Sequence, residues 1–287
     1  MRFGSIQQFA VVAVSALALS TAAQAVPLYA LSTDNDIFTI DSAAPGTILG
    51  GASITGIQPN EKIVAIDVRP STGQLYGVGS SSRLYTINPT TGVATAVGPQ
   101  FSTLVSGVNY DMDFNPNVDR IRLISDADQN LRIDPNTGTV AAVDTVLSYP
   151  SGPNPNVAGI AYSNNVANAA STSLYAIDSG TDMLASIASP NGGVLTNVGA
   201  LGIDVTSVLG FDIYTNGGDT AFAAMQSTSN INSLLYSINL GTGAATLLGS
   251  IGGGFVVRDI AAVVPEPASL AALAAAAAGL LGRRRRV

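Results

Sequence analysis

From residue 26 onward the apolar positions fall in short runs of about five residues, divided by turns rich in Gly, Asn, Pro and Thr, which is the pattern of many short strands. The most regular run is apolar with an aspartate near its end. It occurs at Val64–Val68, Tyr110–Phe114, Leu209–Ile213 and Val257–Ile260, and a degenerate copy, Gly159–Tyr162, carries Ala161 at the aspartate position. The equivalent positions 67, 113, 161, 212 and 259 are separated by 46, 48, 51 and 47 residues. A repeat of that length built from short strands predicts the blade of a β-propeller.

Each repeat continues in the same way. A Leu-Tyr type strand follows, at Gln74–Val78, Arg120–Ile124, Ser173–Ile177 and Thr220–Ala224. A third strand comes next, as at Arg83–Ile87, Leu131–Ile133 and Leu235–Ile238, and ends in Asn88-Pro89-Thr90-Thr91-Gly92, Asp134-Pro135-Asn136-Thr137-Gly138 or Asn239-Leu240-Gly241-Thr242-Gly243. These turns put glycine where a hairpin needs a positive φ. A fourth strand, such as Val93–Val97 or Ala244–Leu248, completes the unit.

The two ends of the repeat region are complementary. The start, Pro27–Leu31, is a second-strand sequence, followed by a third strand at Asp36–Asp41 and a fourth at Thr47–Leu49. The last segment, Arg258–Val263, is a first strand with nothing after it. Together they predict an all-β fold of five four-stranded blades over residues 26–263, in which the last strand closes the first blade and hides the edges an open array would expose. Two loops interrupt the pattern, Tyr149–Asn156 and Ser163–Thr172, and read as surface insertions.

Two resemblances accompany this reading. Phe114–Arg122 and Gly73–Tyr76 resemble an uncharacterised bacterial family of secreted, propeller-like repeat proteins, which implies the architecture and no particular chemistry. The carboxyl end runs Pro265-Glu266-Pro267, an Ala/Leu-rich stretch from Ala268 to Leu281, then Arg283, Arg284, Arg285 and Arg286. An apolar helix stopped by cations is retained with the cations on the cytoplasmic side of a membrane. At roughly 1.5 Å per residue, Ala268–Gly282 would reach about 22 Å. The string closely resembles the PEP-CTERM sorting signal. That resemblance implies exosortase-type machinery acting at the Pro-Glu-Pro region, an inner-membrane stage before processing, and release to the cell surface or beyond. The amino end agrees with export: residues 1–25 read as a signal peptide, with an apolar stretch from Phe9 to Leu19 and Ala23-Gln24-Ala25 as a small-x-small cleavage site.

Setting both ends aside leaves a body with seven basic residues (Lys62, Arg69, Arg83, Arg120, Arg122, Arg132 and Arg258) against eighteen acids, a net charge near −11. Such a surface argues against nucleic-acid partners. The chain has no Cys and no His, so thiolate metal sites, cysteine nucleophiles and Ser-His-Asp triads are excluded. Trp is absent too, which removes the largest platform for sugar stacking.

The remaining candidate chemistry lies in the repeated carboxylates. Asp67, Asp113, Asp212 and Asp259 would form one level of the ring, either as hydrogen-bond acceptors between blades or as ligands for a hard cation such as calcium; no other cofactor is expected. Asp126 and Asp128 resemble the start of a calcium loop, but the sixth and twelfth places hold Leu131 and Thr137 instead of Gly and Glu. Arg120, Arg122 and Arg132 read as salt-bridged surface positions, and Glu61 beside Lys62 as a solvated loop. Three function classes fit: a cell-surface or matrix binding module associated with exopolysaccharide, a structural matrix component, and an enzyme acting on extracellular polysaccharide through aspartates.

Overall fold

The computed structural model describes residues 25–228 and 230–263. The signal-peptide reading of residues 1–25 therefore lies almost wholly outside the described residues. So do the apolar tail, Pro265, Glu266, Pro267 and Arg283 to Arg286.

The first blade holds β1 (Pro27–Ser32), β2 (Asp36–Asp41) and β3 (Ala44–Ser53), the second β4 (Ile63–Val68), β5 (Leu75–Gly79), β6 (Arg83–Ile87) and β7 (Ala94–Val97). The third comprises β8 (Tyr110–Asn115), β9 (Arg120–Ser125), β10 (Asn130–Asp134) and β11 (Thr139–Val143). The fourth comprises β12 (Val157–Tyr162), β13 (Leu174–Asp178), β14 (Met183–Ile187) and β15 (Thr196–Ala200). The fifth comprises β16 (Val205–Thr215), β17 (Asp219–Ser227), β18 (Asn230–Ile238) and β19 (Ala245–Ser250), after which β20 (Val257–Ala262) returns. Strand β20 pairs with β1, giving the order β20-β1-β2-β3, so both ends of the repeat region share one antiparallel sheet, and the molecule is a five-bladed β-propeller. The inner strands β4, β8, β12, β16 and β20 adjoin in turn, and β20 meets β4 to close the ring.

The core is divided into five wedges, one between each pair of neighbouring blades. Between the second and third, for example, Tyr76, Val78 and Leu84 pack on Met112, Phe114, Ile121 and Leu123. Each inner sheet is thus covered on both faces, which explains why β4, β5 and β12 are buried along their whole length, with Asp67 as the one charged residue among them, instead of alternating. Burial falls off outward. The outermost strands β7 and β11 are largely exposed, and β11 alternates between exposed and half-buried positions.

The hairpin glycines do more than turn the chain. Gly138 has φ +64°, and a Cβ built there would lie 1.7 Å from the Val97 carbonyl oxygen of the preceding blade. Gly92 sits in the same way on Ser53 and Gly243 on Gly199, so one residue both makes the turn and seats each blade on its neighbour.

Three sequence expectations change. Glu61 is buried, not solvated: it accepts hydrogen bonds from the Gln58 and Ser81 amides and from the Ser81 and Tyr85 hydroxyls, the last at 2.6 Å. Gly79 leaves room for that carboxylate. Arg122 is also buried, because Tyr162 and Asn191 of the next blade, together with Asn130 and Asp144, wrap its guanidinium. Nor are the two long loops loose insertions. Tyr149 donates to Asp178 at 3.0 Å, and Asn165 is buried with its amide on the Thr215 hydroxyl at 2.7 Å.

Candidate metal centre

Five aspartates line the inner strands, none more than 1 % exposed: Asp67, Asp111, Asp113, Asp212 and Asp259. Four of them, all but Asp113, follow one rule. One carboxylate oxygen accepts from the amide of the next residue in the same strand, as Asp67 does from Val68 at 2.6 Å, and the other accepts from the neighbouring inner strand. Asp67 reaches the Phe114 amide at 2.7 Å, Asp111 reaches Ile160 at 2.8 Å, Asp212 reaches Ala262 at 2.5 Å and Asp259 reaches Ile66 at 2.6 Å. These bonds tie inner strands that share no β-ladder.

The five occupy two levels. Asp67, Asp113 and Asp212 stand opposite Tyr76, Arg122 and Phe222 of their second strands, but Asp259 stands opposite Leu31; the position opposite Tyr29 is Ala261. Asp259 is therefore two residues below the other three, on the level of Asp111. The repeat spacing misplaced it because a two-residue slip leaves a side chain on the same face of a strand, so the apolar pattern is unchanged. Asp111 was missed; its signal was the Tyr110-Asp111-Met112-Asp113 alternation, which sends both carboxylates inward.

The fourth blade breaks the carboxylate rule and shows why. Gly159 and Ala161 occupy its two levels, and a Cβ on Gly159 would come within 2.6 Å of a Leu209 methyl and 2.9 Å of the Phe211 Cβ. Apolar packing replaces the carboxylate link between β12 and β16.

Among the described residues, Asp67, Asp113 and Asp212 are the one acidic set whose ligand oxygens all lie within 4.8 Å of one another. Asp259 is not part of it, and neither are Asp126 and Asp128, which staple loops by accepting from Val108, Asn109 and Asn154. No arginine or lysine of the described residues forms an ion pair with any of the five inner aspartates. Burial, aided by neighbouring carboxylates, raises Asp67, Asp111 and Asp113 well above the usual range; Asp259 is raised by burial first, with Asp212 adding to it. Asp212 is pushed up by burial to about 6, and the Ala262 and Ile213 amides pull it back. Asp113 carries a further anomaly: its Oδ1 is buried without a hydrogen-bond partner.

A second feature lies on the rim. Arg120, Arg122, Arg132, Asn115, Tyr162 and Asn191 line a groove of about 330 Å³ between the third and fourth blades. Asp134 and Asp144 offset part of its charge, with Arg132 Nε 2.8 Å from Asp144. A larger groove of about 600 Å³, lined by Tyr29, Gln74, Thr86, Asn88 and Thr95 among others, has no charged side chain.

Comparison with known proteins adds the following. Residues 36–261 match the family described as Domain of unknown function (DUF4394), and residues 263–286 match the PEP-CTERM protein-sorting motif. No curated protein matches the sequence. Among solved structures, hydrazine synthase of Kuenenia stuttgartiensis is similar at 14 % identity with a TM-score of 0.41, over 69 % of this chain and 52 % of that one. A protein from Lactobacillus plantarum is similar at 19 % identity and TM-score 0.42, over 81 % and 70 % of the two chains. Dihydro-heme d1 dehydrogenase NirN is similar at 10 % identity and TM-score 0.39, over 78 % and 43 %. The chain thus spans about half the length of the hydrazine synthase chain.

Proposed function

The chain belongs to the DUF4394 family and ends in the sorting motif of exported proteins handled by exosortase-type machinery, and from that premise we propose that it is a cell-surface or matrix binding module for an anionic exopolysaccharide. The observation that carries this reading is the rim groove. Three of the seven basic residues of a body with a net charge near −11 converge there, and Arg120 and Arg132 are more than a third exposed. Planar guanidiniums suit the carboxylate or sulfate groups of acidic sugars. In the same reading residues 1–25 direct export, the apolar tail holds the chain transiently in the inner membrane, and its removal frees the propeller.

The alternative, a polysaccharide-cleaving enzyme working through the repeated aspartates, is poorly supported. Asp67, Asp113, Asp212 and Asp259 are all sealed inside the ring, whereas a glycosidase pair must meet a sugar chain. One experiment tests the proposal. Protein recovered from the cell surface should lack Arg283 to Arg286 by mass spectrometry and be retained by the host's own exopolysaccharide in a salt-sensitive manner. The Arg120→Ala, Arg132→Ala double variant should bind at least about tenfold more weakly. Release of new reducing ends, retention unchanged in the double variant, or no retention of the wild type would each overturn it.

A further inference from the structure

The upper level of the ring has the makings of an ion site, and we propose that Asp67, Asp113 and Asp212 together hold one calcium ion at the centre of the propeller. Two observations carry this. Their ligand oxygens come from three separate blades yet lie within 4.8 Å of one another. Ca–O distances of about 2.3–2.6 Å place opposite ligands of one ion about 4.6–5.2 Å apart, so the set can share a single calcium. Independently, Asp113 Oδ1 is fully buried and receives no hydrogen bond, although the same side chain is hydrogen-bonded to the Tyr162 backbone. A buried carboxylate oxygen without a donor needs a positive counterpart, either a cation or a proton shared with the Asp212 carboxyl that Asp113 adjoins.

The surroundings agree in charge and chemistry. Asp67 already accepts from the Val68 and Phe114 amides, and Asp212 from Ile213 and Ala262; each oxygen keeps a further lone pair. These bonds aim the carboxylates while leaving them able to ligate. The donors are all oxygens, which suits a hard cation and not a soft metal. Magnesium would need tighter, near-octahedral ligands at about 2.0–2.1 Å, a demand that carboxylates anchored to three different blades meet less well than the looser shell of calcium. The lower level differs: it has two carboxylates, Asp111 and Asp259, too few for such a set. The inference does not depend on the polysaccharide reading.

Calcium binding to the full chain in mild detergent, freed of metal with EGTA, tests it by equilibrium dialysis at pH 7, with melting followed by circular dichroism. Expected are about one calcium per chain and a Tm that climbs with calcium concentration by mass action. Magnesium at equal concentration should have a smaller effect. Asp113→Asn should abolish binding while melting higher than the wild type in EGTA, since it removes one buried negative charge. Asp111→Asn should still bind calcium. If Asp113→Asn fails to fold, Asp212→Asn reads the same loss. A wild type that takes up no calcium at millimolar concentration, magnesium matching calcium, or Asp111→Asn losing the ion as completely as Asp113→Asn would overturn the assignment. So would a Tm that ignores calcium and rises as pH falls from 7 to 5, because protons would then be the counter-charge.

Discussion

At the residue scale, Glu61 shows how one carboxylate can organise a blade entrance. It joins the loop before β4 to the turn after β5 and to the Tyr85 hydroxyl, and its presence raises the Tyr85 phenol to about 12, with burial the larger cause. Removing it leaves buried donors without acceptors. Glu61→Ala should therefore cost about 2–4 kcal/mol of unfolding free energy, and Glu61→Gln less, as measured by urea denaturation. A loss of a few tenths of a kcal/mol or less would mean the site collapses onto water without penalty. The sequence reads this glutamate as solvated because its neighbour Lys62 is charged, while the donors it serves are twenty and twenty-four residues away at Ser81 and Tyr85.

At the element scale, β20 is the critical strand. It is the inner strand of the first blade, pairs with β1, and supplies both Asp259, which binds the Ile66 amide, and the Ala262 amide, which Asp212 binds. Deleting residues 257–287 should therefore open the ring at two blade junctions, whereas deleting only residues 264–287 should leave the propeller intact. The first truncation should melt far below the second in circular dichroism. Equal melting temperatures would show that the ring does not depend on the closing strand. This closure was legible from the orphan first strand and the three-strand start, since antiparallel pairing demands a partner for every inner strand.

At the scale of the whole molecule, the buried carboxylates set a pH dependence of definite sign. Ordinary aspartates in the unfolded chain titrate near about 3.9, and the five inner ones are all raised in the fold, Asp212 to about 6. The folded state therefore holds more protons than the unfolded state above about pH 4, and stability falls as pH rises through that window. With chelator present, the urea midpoint should be higher at pH 5 than at pH 7.5. With saturating calcium the difference should shrink or reverse, because the ion binds the ionised carboxylates. Asp119, lowered chiefly by its hydrogen bonds from Arg69, acts in the opposite sense, but only below about pH 4. A chelated protein that gains stability between pH 5 and 7.5 would contradict the raised carboxylates.

The sequence by itself determined the number of blades, their strands, the hairpin glycines and the joining of the two ends, because short-range apolar runs and turn residues encode these locally. It also marked Asp67, Asp113 and Asp212 as recurrent inward carboxylates. Only the tertiary structure decided that Asp259 lies a level below them beside Asp111, that Arg122 is enclosed by the fourth blade, and which oxygens meet at the centre. Strand patterning has period two and is blind to shifts of two residues, and contacts between blades join residues about fifty positions apart whose alignment the ring alone imposes.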